Sequence, residues 1–153
     1  MVVRRLGYTR WEIGLNLNKL PYQFLIMLTG VPFGIAEYYI LKPSPLVDSS
    51  TWEGMLLPAL ILIVCTGFVE ELCFRGVMQL SAGEALGQWG WIYIAVLFAA
   101  MHIGYLSIWD GIFVLAVGLF FGLMVNKTRS IIGVTLSHGI TNVILYLVAP
   151  FYF

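Results

Sequence analysis

The chain has 153 residues, 60% of them hydrophobic and only 10% charged, with eight basic side chains against eight acidic ones. A soluble domain of this size carries about a quarter charged residues, so the composition excludes an ordinary soluble domain and predicts an integral membrane protein. Zero net charge leaves no basic footprint for nucleic acid, and membrane lipid is the expected surrounding.

Residues 1–20 mix the bases Arg4, Arg5, Arg10 and Lys19 with Trp11. They lack the apolar core of a cleaved signal peptide. They read as an interfacial segment, with bases among the headgroups and Trp11 as an anchor. Residues 21–153 read as a single transmembrane domain. Its first span covers about Tyr22 to Leu41, interrupted only by Glu37, and Pro43, Ser44 and Pro45 mark the turn after it. The second starts near Gly54 and runs to about Leu80. The third covers about Trp89 to Tyr105, the fourth Gly111 to Val125, and the fifth Ile131 to Phe153. The predicted fold is therefore an all-α polytopic bundle of about five membrane helices.

Lys and Arg crowd one side: Arg4, Arg5, Arg10, Lys19, Lys127 and Arg129 would lie together, leaving Lys42 opposite. The bias predicts a cytoplasmic N-terminus and an outside C-terminus. Gly30 with Gly34, and Gly118 with Gly122, read as close helix contacts within the bundle. Cys65 and Cys73 form no CxxC pair and read as buried apolar thiols.

The second span carries the most informative feature. Fifteen uncharged residues, Met55 to Val69, precede Glu70 and Glu71. As a helix they cover about 22 Å, short of a hydrocarbon core of about 30 Å. The carboxylates therefore fall within the membrane, where an ionisable group needs a partner or a water-filled cavity. Glu71 and Arg75 are i,i+4 and predict an ion pair. Glu70 points about 100° away and remains the free carboxylate. The only two histidines, His102 and His138, also lie in apolar spans, and Asn142 shares the His138 face. Counted along their helices, the four groups fall at depths within about 8 Å of each other.

A desolvated carboxylate suits a general base for water, and histidine can move the proton. A histidine N–H and an asparagine amide suit a developing oxyanion. Glu70, His102 and His138 equally suit three ligands of a divalent metal such as zinc. No HExxH and no serine triad are present. The chemistry predicted from the residues is hydrolysis of an amide inside the membrane.

EELCFR at 70–75 matches EExxxR, Phe98 to His102 matches FxxxH, and His138 to Asn142 matches HxxxN. Three such motifs in this order on separate apolar spans resemble the CAAX protease and bacteriocin-processing family, also called the Abi family. The likeness covers roughly Leu62 to Tyr146. It implies an intramembrane endopeptidase acting on a peptide or protein substrate, of CAAX type or a leader peptide. It implies Glu70 as the water-activating residue, His102 as its partner, and His138 with Asn142 at the oxyanion. Glu71, Arg75 and Phe98 are then supporting residues. Family naming often says metalloprotease, and a metal-free glutamate mechanism is also argued. Members often carry more helices, so the chain reads as a minimal member or a core fragment. The competing reading is a non-catalytic membrane binding or immunity protein that retains the motifs.

Overall fold

The computed structural model describes residues 7–153. Arg4 and Arg5, assigned above to the basic face, lie outside the described residues. Four helical runs are long and apolar enough to cross a membrane: Leu20–Leu41, Trp52–Tyr105, Ile108–Thr128 and Ile132–Tyr152. The second run, 54 residues long, folds back on itself at Gly87, where φ is +58°. A ring contact of 5.1 Å between Phe74 and Phe98 joins its two limbs. The all-α bundle is thus made of five rods: α1 (Leu20–Leu41), α2 (residues 52–86), α3 (Gly90–Met101), α4 (Ile108–Thr128) and α5 (Ile132–Tyr152).

Three local choices set where the polar groups fall. First, α2 begins at Thr51, whose hydroxyl accepts the Gly54 N–H at 3.3 Å, an ordinary N-cap. Second, α2 is not a uniform α-helix. Leu62–Phe68 and Leu72–Met78 are wound as π-helix, on either side of the glutamates. The Thr66 hydroxyl donates back to the Leu62 carbonyl in the first of these stretches, a competition that bends helices. π-turns recur at functional sites because they re-aim side chains. Third, α3 ends at Met101 and is only 12 residues long, about 18 Å. His102, expected within a span, instead opens the 3₁₀ turn His102–Tyr105.

α5 is the central rod, and small residues let its neighbours approach. A Cβ on Gly30 of α1 would press on the Ser137 carbonyl of α5, one on Gly34 would come within 2.6 Å of α5 atoms, and one on Gly67 of α2 within 2.9 Å. Without a hydrophobic force between helices in lipid, such close packing is what holds a bundle. Gly118 and Gly122 serve inside the bundle too, making room for Arg75 and Gln79. A core of Ile26, Phe121, Val125, Ile131 and Val134 lies beneath the site.

The segment before α1 docks on the turn between α4 and α5. Asn16 Nδ2 donates to the Arg129 carbonyl at 2.8 Å, and Lys19 Nζ to the Lys127 carbonyl at 2.7 Å. This brings Lys19 together with Lys127 and Arg129 at one end of the bundle. The cysteines differ from expectation. Cys65 and Cys73 are free and exposed on the outer surface of α2. Exposed on an apolar rod, they stand where a bilayer would cover them with lipid.

Candidate active site

Glu71 is the hub of the site. It is fully buried, and its Oε1 accepts from Arg75 Nη1 at 2.9 Å and from His138 Nδ1 at 2.9 Å. The expected pair with Arg75 forms. The bond to His138, 67 residues away, was not legible from helix spacing. Arg75 is 2% exposed, and its guanidinium carbon stands 4.1 Å from the Phe98 ring centroid. A desolvated cation over an aromatic face gains attraction that an exposed one would not. Phe98 therefore clamps Arg75, and Arg75 neutralises Glu71 where lone charge would be costly.

Both histidines are fixed through Nδ1. His102 Nδ1 lies 3.0 Å from the Phe98 carbonyl oxygen. That carbonyl is free because the chain tightens here: the His102 backbone N–H turns to Ala99 and Ala100. A carbonyl and an ionised carboxylate only accept hydrogen bonds. So Nδ1 carries the proton in each neutral ring, and each Nε2 is left as an acceptor. A partner on one nitrogen that sets the chemistry of the other is the usual way proteins tune imidazole.

Glu70 stands at the edge of this arrangement. Its Oε2 lies 4.0 Å from His138 Nε2, and its side chain is 37% exposed. The structure brings Glu70 to His138, not into the half-open space between the histidines. That space, about 30 Å³, is lined by His102, His138, Asn142 and Thr141, with Phe98 and Phe121 as apolar walls. Asn142 Nδ2 donates to Thr66 Oγ1 at 2.7 Å, which fixes the amide and leaves its second N–H free. Thus His102, His138 and Asn142 share a cavity, and Glu70 reaches His138 from outside it.

Two buried acids were missed, one of them at the site. Glu37 of α1, read in the sequence only as an interruption, lines the same cavity and is 7% exposed. Asp110 of α4 is fully buried, and neither carboxylate oxygen has a hydrogen-bond partner among the described residues. The available signal was that each is an acid within or beside an apolar run. The proposed metal set was Glu70, His102 and His138. Among the described residues no three His, Cys, Asp or Glu side chains are grouped to hold a metal ion, although a histidine whose Nδ1 is held by a carboxylate or carbonyl keeps Nε2 open as a ligand.

A family model, type II CAAX prenyl endopeptidase Rce1-like, matches residues 51–144. The match takes in α2, α3, α4 and most of α5, and so the Glu70–Glu71–Arg75 run, His102, His138 and Asn142. No curated protein and no solved structure matches the chain.

Proposed function

The chain belongs to the Rce1-like type II CAAX prenyl endopeptidase family, and on that premise we propose that it hydrolyses a peptide bond of a membrane-associated substrate with Glu70 as the base for water. The observation that carries this reading is the approach of Glu70 to a histidine whose orientation is already fixed. Glu70 Oε2 is 4.0 Å from His138 Nε2, while Glu71 and Arg75 hold the other ring nitrogen. Groups within or near hydrogen-bond reach can exchange a proton once substrate closes the remaining gap.

The steps follow from those contacts. Glu70 takes a proton from water as its oxygen attacks the scissile carbonyl carbon. The proton passes to His138 Nε2, and the imidazolium is stabilised by Glu71. Charged in this way, His138 donates to the oxyanion, as does the free N–H of Asn142. Collapse of the tetrahedral intermediate breaks the C–N bond. The proton then goes to the leaving amine, with His102 as the second imidazole of the relay. In this reading protein groups alone complete the cycle; among the described residues no three His, Cys, Asp or Glu side chains are grouped to hold a metal ion.

The space of about 30 Å³ between the histidines is too small for a peptide. Substrate therefore reaches Glu70 from its exposed side. The proposed substrate is a polypeptide presented from the membrane, of the prenylated CAAX type that the family description names or a leader peptide. The proposed orientation has a cytoplasmic N-terminus, which the grouping of Lys19, Lys127 and Arg129 at one end of the bundle supports.

The test uses the full chain in liposomes, given farnesylated and unmodified C-terminal peptides, with products read by mass spectrometry. Cleavage by the wild type and none by Glu70→Gln is the expected result. Binding of peptide without cleavage by the wild type would favour a non-catalytic binding protein instead.

A further inference from the structure

The least explained group beside the site is Glu37. It sits on α1, outside the region that matches the family. It is 7% exposed and lines the cavity between the histidines. No hydrogen bond or ion pair reaches its carboxyl from the described residues; the titratable groups of other elements that face it are Asp110 of α4 and His138 of α5. A buried carboxyl without a partner lowers stability, and an apolar residue of similar size would not. Its place is better explained by the cavity than by the fold.

The cavity meets the physical conditions for an ordered water. Its volume is about 30 Å³, and a water needs about 10–15 Å³ on this measure together with two to four polar partners. The partners are complementary. Asn142 keeps one N–H to give, since only one is spent on Thr66. The two rings keep Nε2 acceptors, because Nδ1 is spent on Phe98 and Glu71. Glu37 supplies the remaining carboxyl oxygen. In the resting site a water accepting from Asn142 and donating to an imidazole and to Glu37 has each of its usual bonds, and the Asn142 N–H passes from this water to the oxyanion when substrate is attacked.

We propose that Glu37 is a further positioning residue of the site, holding a water in the cavity against the ring nitrogens of His102 and His138. Through that water it fixes the imidazoles that move the proton during hydrolysis. The kinetic arm of the test rests on the proposed hydrolysis; the spectroscopic arm does not.

The test compares Glu37→Leu and Glu37→Gln with wild type as full-length protein in nanodiscs. The ring nitrogens are followed by ¹⁵N NMR after histidine labelling, alongside thermal melting and peptide cleavage. In Glu37→Leu, at least one Nε2 resonance is expected to move toward that of a free acceptor while the Nδ1 resonances stay. The melting temperature is expected to hold or rise. The rate constant kcat is expected to fall about 10²-fold, the scale for a misplaced group, with KM within about twofold. Glu37→Gln keeps a carbonyl oxygen at the same place and is expected to restore the Nε2 position and most of kcat.

An unchanged imidazole spectrum in Glu37→Leu overturns the inference, whatever the enzyme does. So does a Leu variant that loses melting temperature together with activity, because the carboxyl then serves the fold. If the spectrum moves as expected but wild type cleaves no peptide, the water site stands and the hydrolysis reading fails.

Discussion

His138 Nδ1 lies 2.9 Å from Glu71 Oε1, on the same oxygen that Arg75 holds. One buried carboxylate thus orients the imidazole and is itself neutralised from behind. This divides the two neighbouring glutamates by task. Glu71, with no exposed surface, is structural and electrostatic. Glu70, partly open, is the one that a substrate or water can meet.

Removing Arg75 leaves Glu71 buried and without its counter-charge. Arg75→Ala is expected to destabilise the protein by about 3–5 kcal/mol, the scale for breaking a buried pair from one side. Thermal melting in detergent checks this. A variant melting with wild type would show that Arg75 is not the counter-ion that holds the helix. Glu71→Gln, which keeps an acceptor for His138, is expected to cost less than Glu71→Ala.

Asn142→Ala removes the amide that faces the cavity. Its cleavage rate is expected to be about 10²- to 10³-fold below wild type, the scale for one oxyanion donor. Thr66→Val removes only the hydroxyl that fixes this amide and is expected to cost less. A Thr66→Val loss as large as that of Asn142→Ala would place the chemistry on the hydroxyl instead.

Metal removal separates two chemistries. With activity established in liposomes, exhaustive chelation is expected to leave cleavage intact. Loss of activity with recovery on adding zinc would mean that His102, His138 and Glu70 move together into a ligand set.

The Lys/Arg bias predicts topology. A reporter fused after Phe153 is expected outside, and one within Asn126 to Ser130 inside. The reverse placement, Asn126 to Ser130 outside and the end of the chain inside, would mean that one rod before that turn does not cross, with the short α3 the first candidate; both reporters on one side would mean that α5 itself does not cross.

Outside the membrane-spanning rods, Glu12 carries a pH dependence with a definite sign. Its Oε2 accepts the Thr9 hydroxyl and the Thr9 backbone N–H, each at 2.7 Å, and these bonds hold its carboxyl below the usual glutamate range. The carboxyl is lowered in the folded turn, so its contribution is present above the ordinary glutamate pKa and is lost as pH falls through the lowered value. Hydrogen exchange at the Thr9 amide is expected to lose protection only in acid. Protection that falls instead on raising pH, after correction for intrinsic exchange, would contradict this.

The sequence made the five rods legible because apolar runs and turn residues alternate plainly. It also made the Glu71–Arg75 pair legible, since i,i+4 spacing survives the π-wound stretches around it. The Glu71–His138 bond was not legible. It depends on how α2 and α5 cross, and π-turns shift the phase on which a uniform 3.6-residue helix would place Glu70 and Glu71. Helix counting set His102 within a span, but the chain tightens at Ala99–His102 and frees the Phe98 carbonyl for the ring. Glu37 looked like an interruption because its partners lie on other helices. Cys65 and Cys73 looked buried because hydropathy alone does not tell a lipid-facing surface from a core.

The most direct test of the site is Glu70→Gln, assayed on a verified peptide substrate in liposomes with the fold checked by thermal melting. The substitution is nearly isosteric and cannot take a proton from water. Retained peptide binding, an unchanged melting temperature and nearly complete loss of cleavage are expected. Full cleavage by Glu70→Gln would contradict the assignment of Glu70 as the base and with it the proposed mechanism.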